Sequence, residues 1–235
     1  MPPFSSPPGY HRIRVVASFD ELVDVPLADG VNAVCWAREL HGDYEAIARR
    51  LAPAEDRRSI ADDELQALAA QPGMQLAIDT LLADLRRLRG LGHQPQLDCL
   101  RDYPRDIGAV LPTDVYSFHQ DSATVPTETF LCSYTGAASE GLRNDEALPR
   151  LEEPQVRARL LAQFGGADDE AFAAWLREHH FDLHHAPRAG AQPFSFGLGN
   201  LWRLAVRWPG CAVPACIHRA PDTGPSRPPR LLLIS

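Results

Sequence analysis

Two short stretches carry the residues best suited to chemistry: "SFHQDSATVP" near the middle of the chain and "CIHRAPDTGPSRPPRLLLIS" at its end. In an extended strand, side chains two positions apart project from the same face, so His119 and Asp121 point together. An imidazole and a carboxylate side by side can hold a divalent metal. The third ligand must come from elsewhere, and His218, closing the strand-like "AVPACIH", is the candidate. Two histidines and one carboxylate on one face of a metal leave the opposite positions open, the ligand set associated with non-haem Fe(II) oxygenases. Arg230 opens the last apolar run, twelve residues after His218. A planar guanidinium grips a carboxylate through two hydrogen bonds. Arg230 is therefore the candidate anchor for a carboxylate of a metal-bound ligand, with Arg227 as the alternative. A hairpin through "RAPDTGPSRPP" is expected to return the Arg230 strand beside the strand of His218.

Such a set must be held by a rigid frame, and the sequence suggests one in two textures. Residues 1–12 are rich in Pro and Ser and are expected to be flexible. Residues 13–93 read as a mostly helical buttress. In "MQLAIDTLLADLRRLRGLG" the apolar residues recur at three- and four-residue spacing, and Gly90 and Gly92 end the run. From 94 to 235 the chain breaks into short segments rich in aromatic and β-branched residues, cut by Pro and Gly. A helical insertion at about 153–180 interrupts them. Helices followed by many short strands predict a mainly β fold with N-terminal helices (α+β), a jelly roll or double-stranded β-helix.

Composition removes several function classes. All 23 basic residues are Arg, and against 31 acidic residues they leave a net charge of −8. Nucleic-acid binders usually present a basic stripe, so no nucleic-acid partner is expected. No apolar run is long enough to span a bilayer, and the N-terminus lacks the charged start and apolar core of a secretory signal. Five cysteines do not suggest a disulfide framework. These features predict a cytoplasmic protein with no membrane partner.

The ordered set (His-x-Asp, more strands, His, about a dozen residues, Arg, terminal strand) resembles the double-stranded β-helix oxygenases over roughly residues 95–235. That resemblance implies Fe(II) as cofactor, 2-oxoglutarate as co-substrate and a small-molecule or peptidyl substrate. A closer resemblance is to an uncharacterised bacterial family, domain of unknown function 1826. Its blocks here are "FHQDSATVPTETFLCSYTGAASEGL" and "WPGCAVPACIHRAPDTGPSRPPRLLLI", with a weaker match at "NAVCWAREL". Ala137 and Ala138 replace the Pro and Gly expected in its second block.

Other polar clusters have plainer readings. His179, His180, His184 and His185 match no common zinc spacing, and two of them end a predicted helix. "AASEG" around Ser139 resembles a nucleophile elbow, but no helix pattern follows it. Cys216 is two residues before His218 and can share its face. The main alternative to an oxygenase is a non-catalytic metal- or small-ligand-binding module of the same fold.

Overall fold

The structure is a computed structural model, and it describes residues 4–111, 113–179, 183–222 and 228–235. Arg227 and His180 lie outside the described residues. Strands β1 (Ile13–Val16), β2 (Ala33–Trp36) and β3 (Arg57–Ser59) alternate with helices α1 (Phe19–Asp24), α2 (Tyr44–Arg50), α3 (Asp62–Ala69) and α4 (Gln75–Gly90). Then come β4 (Gln96–Leu100), β5 (Phe118–Gln120), β6 (Glu128–Ser133), β7 (Glu140–Leu142) and β8 (Ala147–Pro149). Helices α5 (Pro154–Phe164) and α6 (Glu170–His179) precede β9 (His184–Pro187) and β10 (Phe194–Ser195). The chain ends with β11 (Leu201–Ala205), β12 (Ile217–Arg219) and β13 (Arg230–Ile234).

These strands form two sheets. The larger runs β1-β2-β11-β6-β13-β4-β3 and the smaller β10-β7-β12-β5-β9-β8. The fold is thus mixed α/β and mostly strand, with six helices among the described residues.

Strand alternation explains the layering. In β13, Leu231 and Leu233 point to a core shared with the helices, where they meet Leu81, Leu85 and Leu88 of α4. Arg230, Leu232 and Ile234 have the opposite parity and face the smaller sheet. There Leu232, Leu131 and Trp202 pack with Phe196 and Cys216, closing the space between the sheets. The larger sheet is therefore buried on both faces, which is why "TFLC" and "LLL" are continuous apolar runs.

The helices form where the local chemistry favours them. Ser18 caps α1 by accepting from Glu21 N–H at 3.1 Å, and Asp43 caps α2 at Ala46 N–H at 2.8 Å. Pro154 occupies the first turn of α5, and Gly165 ends it at φ +72°. One polar contact pins α4 to the sheet: the fully buried Asp84 accepts from Arg38 Nη1 at 2.9 Å and from Tyr134 OH at 2.8 Å. Buried carboxylates need such partners.

The first 93 residues also contribute strands. Residues of β2 pair in register with β11, and those of β3 with β4, so this stretch extends the larger sheet as well as covering it. Near the N-terminus the Phe4 ring packs edge-on against Trp202 at 4.8 Å, and Tyr10 is buried.

Candidate metal centre

His119 and His218 lie on adjacent antiparallel strands, β5 and β12, in direct register. Their rings are 4.7 Å apart. Asp121 follows β5 by one residue and keeps the parity of His119. Its Oδ1 is 3.8 Å from His119 Nε2 and its Oδ2 is 3.8 Å from His218 Nε2. These separations are too long for hydrogen bonds. They suit donors facing a common ion, since two ligands each ~2.1 Å from a metal stand roughly 3–3.5 Å apart. One ligand atom from each of the three residues lies within 4.8 Å of the others, and among the described residues no other such group of three occurs.

The surroundings prepare each ligand. Nδ1 of His119 is 2.8 Å from the carbonyl oxygen of Ser117. A carbonyl can only accept, so Nδ1 carries the proton and Nε2 keeps its lone pair for a metal. Nδ1 of His218 is buried and has no hydrogen-bond partner among the described residues. Asp121 Oδ2 accepts from Thr129 Oγ1 at 2.7 Å. Thr129 belongs to β6 of the opposite sheet, so this bond ties the ligand across the sandwich. The nearby imidazoles and the Thr129 hydroxyl outweigh burial and hold the Asp121 carboxyl below its ordinary pKa. Three donors, two neutral and one anionic, fit a divalent cation.

Burial and the neighbouring His218 push the His119 pKa down to about 4. The unfolded chain then binds more protons than the native one between about pH 4 and the ordinary histidine value near 6.5. Stability of the metal-free protein is therefore expected to rise with pH across that window and to fall on acidification through it. Denaturant midpoints measured from pH 7 to pH 4 test this, and His119→Gln should flatten that part of the profile.

Thr129 had no signature beyond a polar residue at an inward strand position. Replacing it with Val keeps the volume and removes the bond to Asp121. Metal affinity should fall roughly 10- to 100-fold, the usual range for groups that orient ligands, as measured by competition with a chelator.

Arg230 occupies the inner face of β13, but β13 is not the neighbour of β12. It pairs with β4 and β6, whereas β12 pairs with β5 and β7. The expected hairpin does not form, because β12 and β13 belong to different sheets. Arg230 consequently faces the triad's sheet across the sandwich.

Its environment is unusual for a cation. Arg230 is 1% exposed. Nη2 donates to Ser133 Oγ and Ser139 Oγ at 2.7 Å each, while Nε is buried without a partner. No carboxylate pairs with it among the described residues. Burial lowers its pKa to about 10, which leaves it charged at neutral pH. Gly136 is required beside it: φ there is +74°, and a Cβ would stand 3.3 Å from Arg230 Cβ. Ser139 is thus a buried partner of Arg230, which disposes of its resemblance to a catalytic serine.

The triad and Arg230 are linked through the start of β7. Gly141 pairs with His218 in the β7–β12 register, and Ser139, which holds Arg230, is two residues before it. That separation is about 7 Å along an extended chain.

The histidine-rich segment is divided by its strand. His179 ends α6, where Nδ1 lies 3.0 Å from the Trp175 carbonyl oxygen. His185 pairs with Phe118 on the outer side, and His184 pairs with His119 on the inner side. Changing His179, His180, His184 and His185 together to Gln should leave one metal per chain by elemental analysis, since none is needed to complete the triad. Loss of the metal with the fold intact by circular dichroism would place a ligand in this segment. Cys216 is buried on the inner face near Asp121, and burial raises its thiol pKa to about 12.

No protein-family model, curated protein or solved structure matches the chain. No helix among the described residues is long and apolar enough to cross a membrane.

Proposed function

We propose that the chain is a double-stranded β-helix dioxygenase that uses Fe(II) and 2-oxoglutarate to oxidise a small-molecule or peptidyl substrate. The observation that carries this reading is Arg230: a buried cation with no acidic partner among the described residues, on the face turned towards a two-histidine, one-carboxylate cluster. Burying an unpaired charge is costly, so a protein that keeps one is expected to receive its counter-charge from a ligand. The chemistry of 2-oxoglutarate matches the two parts: it carries a chelating keto acid at one end and a free carboxylate at the other, joined by four carbon–carbon bonds of about 5 Å overall. One molecule thus offers a group for the metal and a group for Arg230.

The path of the chain supports the fold assignment. From β4 to β7 successive strands fall alternately in the larger and smaller sheet, and β10 to β13 repeat the alternation. The order β4-β13-β6-β11 against β5-β12-β7-β10 within the two sheets supports a jelly-roll reading. Kinship with domain of unknown function 1826 belongs to the same proposal and rests on the two sequence blocks that contain the triad and Arg230.

In this reading His119, Asp121 and His218 hold the metal, and Thr129 and Ser117 fix the orientation of two of them. Arg230 receives the distal carboxylate, with Ser133 and Ser139 holding its guanidinium in place. Bound Fe(II) would supply O₂ activation coupled to decarboxylation of 2-oxoglutarate to succinate. The protein's task is to position these groups and exclude water.

A second reading, a metal- or small-ligand-binding module without turnover, has an observation in its favour. The cleft of about 710 Å³ lined by Arg38, Tyr44, Tyr134 and Asn200 includes no triad residue. Incubation of the wild type with Fe(II), O₂ and 2-oxoglutarate distinguishes the two. Succinate formation supports the oxygenase, and its absence together with stoichiometric metal supports the module.

A further inference from the structure

The segment between β7 and β10 brings two basic side chains against the triad from the side away from Arg230. In the smaller sheet, β7 and Ser139 lie on one flank of the β12–β5 pair and β9 lies on the other. His184 of β9 is in register with His119, and their rings are 5.8 Å apart at 39°. Alternation along β9 puts His184 and Ala186 on the inner face.

β8 pairs with β9 through Leu148↔Ala186 and Pro149↔His185. The next residue, Arg150, opens a 3₁₀ turn, Arg150–Glu152, directly after β8. Its Nε donates to Ser117 Oγ at 3.2 Å. Ser117 is the residue whose carbonyl orients His119, and it has inner parity. Among the described residues Arg150 pairs with Glu153, 3.5 Å away. That i,i+3 pair is loose and partly exposed, a geometry that contributes little.

Arg150, through Ser117, and His184, through its ring, both adjoin His119 on the flank of the triad away from Ser139 and Arg230. Resting on the reading of the triad as a metal site, we infer that the primary substrate carries a carboxylate which Arg150 and His184 receive, holding the rest of the molecule beside the metal. A planar guanidinium favours a carboxylate because two parallel N–H donors match its two oxygens.

Acetate serves as the probe, with Mn(II) in the triad and saturating 2-oxoglutarate to cover the metal and Arg230. Relaxation of the acetate methyl protons by Mn(II) should be saturable and should give a distance beyond direct coordination. Arg150→Gln and His184→Gln should each weaken acetate binding at least tenfold while Mn(II) stays at one per chain. Arg219→Gln should leave it unchanged, because Arg219 lies on the outer face of β12, paired with Glu140. Unchanged acetate affinity in Arg150→Gln, or no saturable relaxation in the wild type, overturns the inference. Tighter competition by inorganic phosphate than by acetate overturns the choice of a carboxylate. Failure of the wild type to hold Mn(II) overturns the triad reading and this inference together, whereas Mn(II) held without an acetate effect overturns this inference alone.

Discussion

Replacing Arg230 with leucine should leave the metal in place and weaken 2-oxoglutarate binding by two to three orders of magnitude. The guanidinium is buried on the inner face of β13, with Nη2 fixed by two serine hydroxyls and Nε unpartnered. Without it, a carboxylate entering this space meets two hydroxyls and apolar side chains. Loss of one partner from a buried charged pair costs on the order of 3–5 kcal/mol, which sets the expected size. Arg230→Lys should not restore binding, because a single ammonium cannot reproduce the fork and would lose the geometry set by Ser133 and Ser139. The stability of the metal-free protein supplies a control. Removing an unpaired buried cation in favour of an apolar side chain should leave the denaturant midpoint unchanged or raise it. A strong fall in stability would mean that Arg230 serves the fold rather than a ligand.

The double substitution His119→Ala/His218→Ala should take the metal content from one per chain to none. Only the Asp121 carboxylate would remain of the three donors, partly exposed and bonded to Thr129. A lone carboxylate holds a divalent ion too weakly to survive gel filtration. The fold should persist, because both histidines lie on strands whose outer faces are anchored separately by Phe118, Leu142 and Ile217. Elemental analysis after desalting is the measurement, and stoichiometric metal in the double variant would contradict the assignment of the triad.

Much of this site was legible because strand alternation is a local rule. His119 and Asp121 share a face in any strand, and the inward parity of Cys216 and His218 follows from the same rule. The sheet to which each strand belongs is not local. The terminal segments show two strands and a Pro-rich connection, but nothing in residues 217–234 states that β12 and β13 occupy different layers. The expected hairpin therefore failed while the inward orientation of Arg230 remained. Thr129, Ser133 and Ser139 were invisible for a related reason. Each is an ordinary small polar residue, and its meaning appears only when the opposite sheet brings Asp121 or Arg230 to it. Within the first 93 residues the helices announced themselves by their apolar spacing. The three-residue strand β3, "RRS", has no hydrophobic pattern and forms because β4 offers it an edge.

His184 shows the same limit. Four histidines in one segment look alike in sequence, yet strand parity sends His184 towards His119 and His185 away from it.

The central claim is that the triad and Arg230 form one site for a metal-bound dicarboxylate. Isothermal titration of 2-oxoglutarate into the anaerobic Fe(II) protein tests it most directly. We predict one molecule bound per chain, with a dissociation constant well below millimolar and no binding once the metal is removed. No detectable binding at millimolar 2-oxoglutarate, with Fe(II) present at one per chain, would contradict the oxygenase and leave a metal-binding module.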